Sequence, residues 1–403
     1  MTARGGRGGR RAREEEPEAA GVSGGAAPAA PPILSGIRDQ DDAVERLRRA
    51  AREDRVPHSY LFHGPRGVGK TRTALGLAQA LECGAEADRR PCGACLGCRK
   101  VAALIHPDLR LLFPATRDEE SSPEDIARRL HEYAAGPFHL LEFARNATIG
   151  IERVRELKAE AGMALVEGPR RVYILADAPR MTEDAAQSAL KLIEEPPPGT
   201  HLILIAEEPS MLLPTIVSRC QQVRFRPLRR ETIEEILAAR FGVAPKTSRL
   251  IAALAQGSLG RALQLRLEDS IPETRDRALS LLHVDPERAQ EKTREWSRSL
   301  DPNAARRTVE LLLLWCRDLL AVKFGQSPDS LANPDRLDLL EKEAARMPVA
   351  TLRAWVDALE EMVDSIDRNV NPALSLFEAL SQIAGEAPGA TRSTTAGPQG
   401  RSR

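Results

Sequence analysis

One stretch limits what this chain can fold into more than any other. Gly64-Pro65-Arg66-Gly67-Val68-Gly69-Lys70-Thr71 fits the pattern G-x-x-x-x-G-K-[ST]. The glycines let backbone N–H groups turn toward a phosphate, Lys70 brings positive charge to its outer oxygens, and the Thr71 hydroxyl suits Mg²⁺. Such a loop needs an apolar strand before it and a helix after it, so that the helix N-terminus also faces the anion. Both flanks are present: residues 60–63 read as a strand and 71–81 as a helix. All eight residues are candidates for holding ATP phosphates with Mg²⁺.

The alternation continues downstream. Further strands are expected over 109–113, 172–176, 201–206 and 222–225, with helices over 151–164 and 183–194. Strand and helix in turn predict a parallel sheet covered by helices. Pro196-Pro197-Pro198 should end the second of these helices, because proline lacks the N–H and clashes with the preceding turn. Past residue 228 the strand signals stop. Three short helices (231–241, 246–255, 259–267) precede longer amphipathic ones over 303–324, 350–363 and 372–384. The chain therefore divides into an α/β nucleotide-binding domain (33–228), a helical lid (229–270) and an all-α domain (271–384). Tails at 1–32 and 385–403 flank them. The first tail holds five Arg within residues 4–13 and then an Ala/Gly/Pro run, too poor in apolar surface to offset the entropy of ordering.

Inside the α/β domain, Cys83, Cys92, Cys95 and Cys98 form C-x8-C-x2-C-x2-C. Four thiolates suit a closed tetrahedral Zn²⁺ site, structural because no position is left for water. Gly93 and Gly97 read as residues permitting the tight turns. An iron–sulfur cluster or disulfides are the alternatives. Cys220 and Cys316 stand apart, and Cys316 reads as a small buried hydrophobe. The N-terminal MTARGGRGGRRAREEE has charge but no apolar segment behind it, and apolar runs such as 311–316 are too short to span a bilayer. A cytoplasmic protein with reduced thiols and no membrane contact is expected.

Composition removes other classes. Lys plus Arg and Asp plus Glu are both 58, so there is no net charge to drive nonspecific nucleic-acid binding. Aromatic residues are 3%, too few for a surface that stacks many bases. A zinc-dependent nucleic-acid binder with a vestigial phosphate loop is thus disfavoured. Hydrolysis needs an Asp toward Mg²⁺ and an acidic group toward the attacking water. The strand over 172–176 ends in Ala176-Asp177, one carboxylate alone. Asp177 reads equally as a turn cap or as a residue near the metal.

The order of these pieces carries a resemblance. After the phosphate loop and the four Cys come His106-Pro107-Asp108, Ile149-Gly150-Ile151-Glu152-Arg153-Val154-Arg155, Leu190-Lys191-Leu192-Ile193-Glu194-Glu195-Pro196-Pro197 and Ser218-Arg219-Cys220. This series resembles the AAA+ subunits of the bacterial DNA polymerase III clamp loader, over about residues 33–384. Four points resemble the δ′ type and not the γ/τ motor. Ala176-Asp177 stands where the motor type has Asp-Glu. Glu207-Glu208 stands where it has a sensor Thr. Gly257-Ser258-Leu259-Gly260-Arg261 puts Arg one place late, and residues 369–380 look like the δ′ C-terminal helix. The resemblance implies that Arg219 acts as an arginine finger in trans on a neighbour's ATP. It also implies partners: γ/τ and δ subunits and, through the assembly, the sliding clamp and primer–template DNA. A γ/τ-type ATPase motor is the competing reading. Residues 115–148 look inserted relative to the usual pattern, with a helix over 123–133, and are expected to form a surface excursion.

Overall fold

Five short strands lie side by side in the order β2-β3-β4-β1-β5, and every pair is parallel. They are β1 (Ser59–His63), β2 (Leu109–Leu112), β3 (Arg171–Leu175), β4 (Thr200–Ala206) and β5 (Gln221–Arg224). The computed structural model describes residues 32–120, 122–144, 146–267, 271–282 and 302–367. All residues of β3 and β4 are buried, as unbroken apolar strands require when helices cover both faces. Edge strand β5 buries only Val223. Alternate side chains feed two cores: Phe62, Ile174 and Ile203 face one side, while Leu61, Tyr173, Leu175 and Leu204 face the other.

The expected elements are present with shifted ends. The helix expected over 151–164 is Ile151–Ala161. It stops early because buried Arg171 donates to the carbonyls of Met163 (3.0 Å) and Ala164 (2.8 Å), groups that would otherwise belong to the helix. The helix before the three prolines is Glu183–Glu194. The lid helices are Arg230–Phe241, Pro245–Ala255 and Leu259–Leu265, the last two residues shorter than expected.

The C-terminal helices are Ile271–Leu282, Pro302–Lys323, Leu337–Arg346 and Val349–Asp367. They pack around fully buried Trp315, whose indole donates to Glu343 (3.0 Å). Cys316 is buried beside it, as expected of a small hydrophobe. Residues 372–384, the δ′-like stretch 369–380, and both expected tails except Pro32 lie outside the described residues. Among the described residues no helix is long and apolar enough to cross a membrane.

The segment 115–148 is the surface excursion expected, closed at its base. Its two ends pair as an antiparallel bridge, Ala115 N–H to Thr148 O (2.9 Å) and Thr148 N–H to Ala115 O (3.0 Å). Beyond that neck it holds helices Arg117–Glu120 and Pro123–Ala134. The excursion lies on the surface, with only Ala115, Tyr133 and Ala147 buried among its described residues, yet it is tied down. Arg129 lies over the rings of Phe113 (4.7 Å to centroid) and Phe143 (5.8 Å) and pairs with Glu119 (3.0 Å), folding the segment back over the strand ends.

Candidate nucleotide and metal sites

In a parallel sheet the C-terminal strand ends share one edge, where ligands bind. Here that edge gathers Gly64 after β1, Ala176-Asp177 after β3 and Glu207 after β4. Gly64, Gly67 and Gly69 all have positive φ (138°, 70° and 98°). A side chain at Gly64 would run into the Phe225 carbonyl, so the loop needs glycine there for close approach as well as for conformation.

Lys70 is 7% exposed. Its ammonium donates to the carbonyls of Gly64 and Pro65, both at 2.6 Å. Burial holds its pKa down to about 8, against the upward pull of the Glu207 carboxylate. Thr71 follows at the helix start, and buried Tyr133 packs nearby, its hydroxyl pKa raised to about 12 by burial. Arg72 fastens that tyrosine: its guanidinium sits 4.2 Å from the ring centroid and donates to the carbonyls of Tyr133 (2.6 Å) and Gly136.

Asp177 takes the cap position of the turn Ala178–Arg180, at φ +56°, without capping it through its side chain. Its carboxylate is instead shared by Arg66 (2.7 Å) and Arg180 (3.0 Å). Arg66 also pairs with Glu207. Asp177 and Glu207 are therefore both paired with guanidinium.

The lid rests directly on the loop. Gly260 N–H donates to Gly67 O at 3.0 Å, and a side chain at Gly67 would collide with Ser258 and Gly260. Arg261, one place late in the sequence, pairs with Glu310 of the helix Pro302–Lys323. The segment 115–148 bridges loop helix and lid. Gln264 donates to Glu142 (2.8 Å), and the rings of Phe138 and Phe241 meet edge-on at 5.3 Å. Tyr133, Arg180 and Glu207 were not found as site residues from sequence. Glu207 was noted only as a departure, and nothing local marks the other two.

The four cysteines converge. Their sulfurs all lie within 4.8 Å of one another, with Cys92–Cys98 and Cys83–Cys95 both at 3.9 Å. A tetrahedron with Zn–S of about 2.3 Å has edges of about 3.8 Å, so the set fits a four-thiolate ion. All six cysteines are free, which removes the disulfide alternative. Backbone N–H groups of Cys92, Cys95 and Cys98 donate to the sulfurs of Cys83, Cys92 and Cys95 (3.4, 3.3 and 3.4 Å). At Cys92, burial pushes the thiol up, but backbone N–H donation from Cys95 and Ala94 outweighs it and brings the pKa to about 6. Gly93 makes the tight turn at φ +71°. Gly97 does not: it lies in the helix Leu96–Ala102, where a side chain would strike the Glu82 carbonyl.

Ser218 and Arg219 are exposed and Cys220 is buried. Arg219 donates to Thr215 O (3.0 Å) and pairs with Glu194 (2.9 Å), both side chains 42% exposed. It precedes Gln221, which aligns with Tyr60 near the start of β1. Arg219 thus sits at the opposite end of the sheet from its own phosphate loop.

Residues 39–229 match the family model described as DNA polymerase III, delta subunit, and residues 280–385 match that of its C-terminal part. DNA polymerase III subunit delta′ of Bacillus subtilis is 28% identical over 337 residues, covering 82% of this chain and 92% of that protein. Subunit delta′ of Pseudomonas aeruginosa is 35% identical over 165 residues, 41% of this chain and 42% of that protein. The gamma/tau subunit of Mycobacterium tuberculosis is 31% identical over 208 residues, 52% of this chain but only 31% of that protein. With both delta models matched in order along most of its length, this chain belongs to the DNA polymerase III delta′ family.

Proposed function

We propose that this chain works as the δ′-type subunit of a clamp loader. It joins γ/τ- and δ-type subunits in a cytoplasmic complex that loads the sliding clamp onto primer–template DNA, and it completes a neighbour's ATP site while hydrolysing little itself. One observation carries this reading. Asp177 and Glu207, at the strand ends beside the loop, are held by arginines, while Arg219 stands exposed at the far end of the sheet.

Arg219 cannot reach its own loop from there, but a neighbouring subunit can present a nucleotide to it. Its present partner, Glu194, is an exposed one, and such pairs contribute at most about 1 kcal/mol, so a phosphate can take its place. A guanidinium delivered in trans contributes about 10³–10⁵ in rate in phosphoryl transfer. The helical region from residue 271 onward acts as the oligomerisation collar, residues 229–270 as the lid, and Cys83, Cys92, Cys95 and Cys98 hold structural Zn²⁺. Gly64 to Thr71 bind nucleotide phosphate.

The test mixes this chain with a γ/τ-type partner and follows co-elution and ATP turnover. Arg219→Ala should leave assembly intact and lower turnover of the complex by about 10³ or more. Unchanged turnover in that complex, or fast DNA-stimulated turnover by this chain alone, would reject the reading.

A further inference from the structure

The segment 115–148, which the resemblance leaves without a role, reaches the cleft above the phosphate loop. That cleft is a cavity of about 2040 Å³, and its walls include the loop, residues 133–143 of this segment and the lid. One end of the stretch is fixed to the helix that follows the loop. Arg72 donates to the carbonyls of Tyr133 (2.6 Å) and Gly136, and its guanidinium lies over the Tyr133 ring, 4.2 Å from the centroid. Hydrogen bonds from an ionised donor are the stronger kind, and Arg72 is half-buried, so this end is firmly held.

The other end grips the lid. Phe138 meets Phe241 of the first lid helix edge-on at 5.3 Å, and Arg266 covers the Phe241 ring at 3.9 Å. Glu142 accepts from Gln264 of the third lid helix (2.8 Å). Between them Leu140 lies so close to Gly260 that a side chain there would touch it. Arg129 steadies this end from within the segment, donating to the Glu142 carbonyl and lying over Phe143. A lid that swings away from the loop must break these contacts together with the Gly260–Gly67 hydrogen bond. They therefore oppose opening even when no nucleotide joins the two surfaces.

We infer that residues 133–143 are a strap that holds the lid shut on the phosphate loop in the empty chain and gates the exchange of nucleotide. The gating rests on the proposal above that the loop binds nucleotide phosphate; the grip on the lid does not. The strap acts alike on the empty and the occupied chain, so loosening it speeds entry and exit together and leaves affinity nearly unchanged.

Two measurements on the full chain test it, using the double variant Phe138→Ala, Glu142→Ala to remove the ring contact and the hydrogen bond to the lid. Hydrogen exchange of the nucleotide-free chain, read by mass spectrometry, should quicken about tenfold or more over residues 257–265 and stay unchanged in β3 and β4. Unchanged exchange in the lid overturns the inference. So does equal quickening of lid and sheet, which marks a general loosening and no strap. Stopped-flow binding of methylanthraniloyl-ADP should show association and dissociation rate constants both raised about fivefold or more, with the dissociation constant within about threefold of wild type. Unchanged rates, or a rise in the dissociation rate alone, overturn the inference while leaving the phosphate-site reading standing. Absence of ADP binding by the wild-type chain overturns that reading and the gate with it.

Discussion

Lys70 gives the phosphate loop a pH signature that can be worked out in advance. In the empty chain its pKa is about 8, against an ordinary 10.5, because burial strips water from the ammonium. A bound phosphate puts negative charge against that ammonium and returns its pKa toward the ordinary value. Above pH 8, binding must therefore be accompanied by proton uptake, and affinity falls by up to about tenfold per pH unit, or about 1.4 kcal/mol.

At pH 9.5 only about 3% of empty chains still carry the charge. Raising the pH from about 7.5 to 9.5 should weaken ADP binding roughly 20-fold, about 2 kcal/mol. The phosphates of ADP are already ionised across this range, so the change belongs to the protein. Calorimetry in two buffers of different ionisation enthalpy measures the proton uptake directly. Lys70→Arg should flatten the profile, since guanidinium does not titrate there.

Stability moves the other way. The unfolded chain holds this proton more tightly, so the burden on the empty fold is present below about pH 8 and is relieved as pH rises toward 10.5. Falling affinity with no fall in melting temperature separates the lysine from alkaline unfolding. A wild-type affinity that is flat from pH 7.5 to 9.5 would refute the reasoning.

Two further outcomes follow from the buried polar groups. Asp108 is 1% exposed, accepts N–H groups from Val166, Glu167 and Gly168 (2.9–3.1 Å), and faces Arg171 at 3.3 Å. Asp108→Asn leaves Arg171 without its counter-charge and should lower stability by about 3–5 kcal/mol, read from the urea midpoint; a loss under about 1 kcal/mol would contradict this. The four-cysteine cluster should carry about one zinc per chain by elemental analysis. Cys95→Ser should lose it and unfold on mild heating, because the energy of metal binding is also folding energy. Iron in place of zinc, or no metal in the wild type, would reject the assignment.

What was legible in the sequence depended on distance along the chain. Strands β3 and β4 stood out because burial on both faces demands an unbroken apolar run. Their first residues, Arg171 and Thr200, escaped notice because they are polar and yet buried. The phosphate loop was legible because its backbone conformation depends on glycines a few residues apart, and the cysteine cluster because two of its spacings are x2. Arg219 was found only through the ordered series of motifs, since a single exposed arginine carries no signal of its own.

The fate of Asp177 was not legible: one partner, Arg66, lies 111 residues away, and an ion pair leaves no periodicity. Tyr133 was hidden in the same way, because nothing local marks a tyrosine in a polar surface helix as the ring that Arg72 will hold. The long-range pairs of Arg66 with Asp177 and Glu207 set the charge at the strand ends beside the loop. Local sequence is therefore enough to place a Gly-rich loop with the pattern of a phosphate cradle after β1. Whether the cradle can also hydrolyse is decided by residues that meet only after the chain has folded.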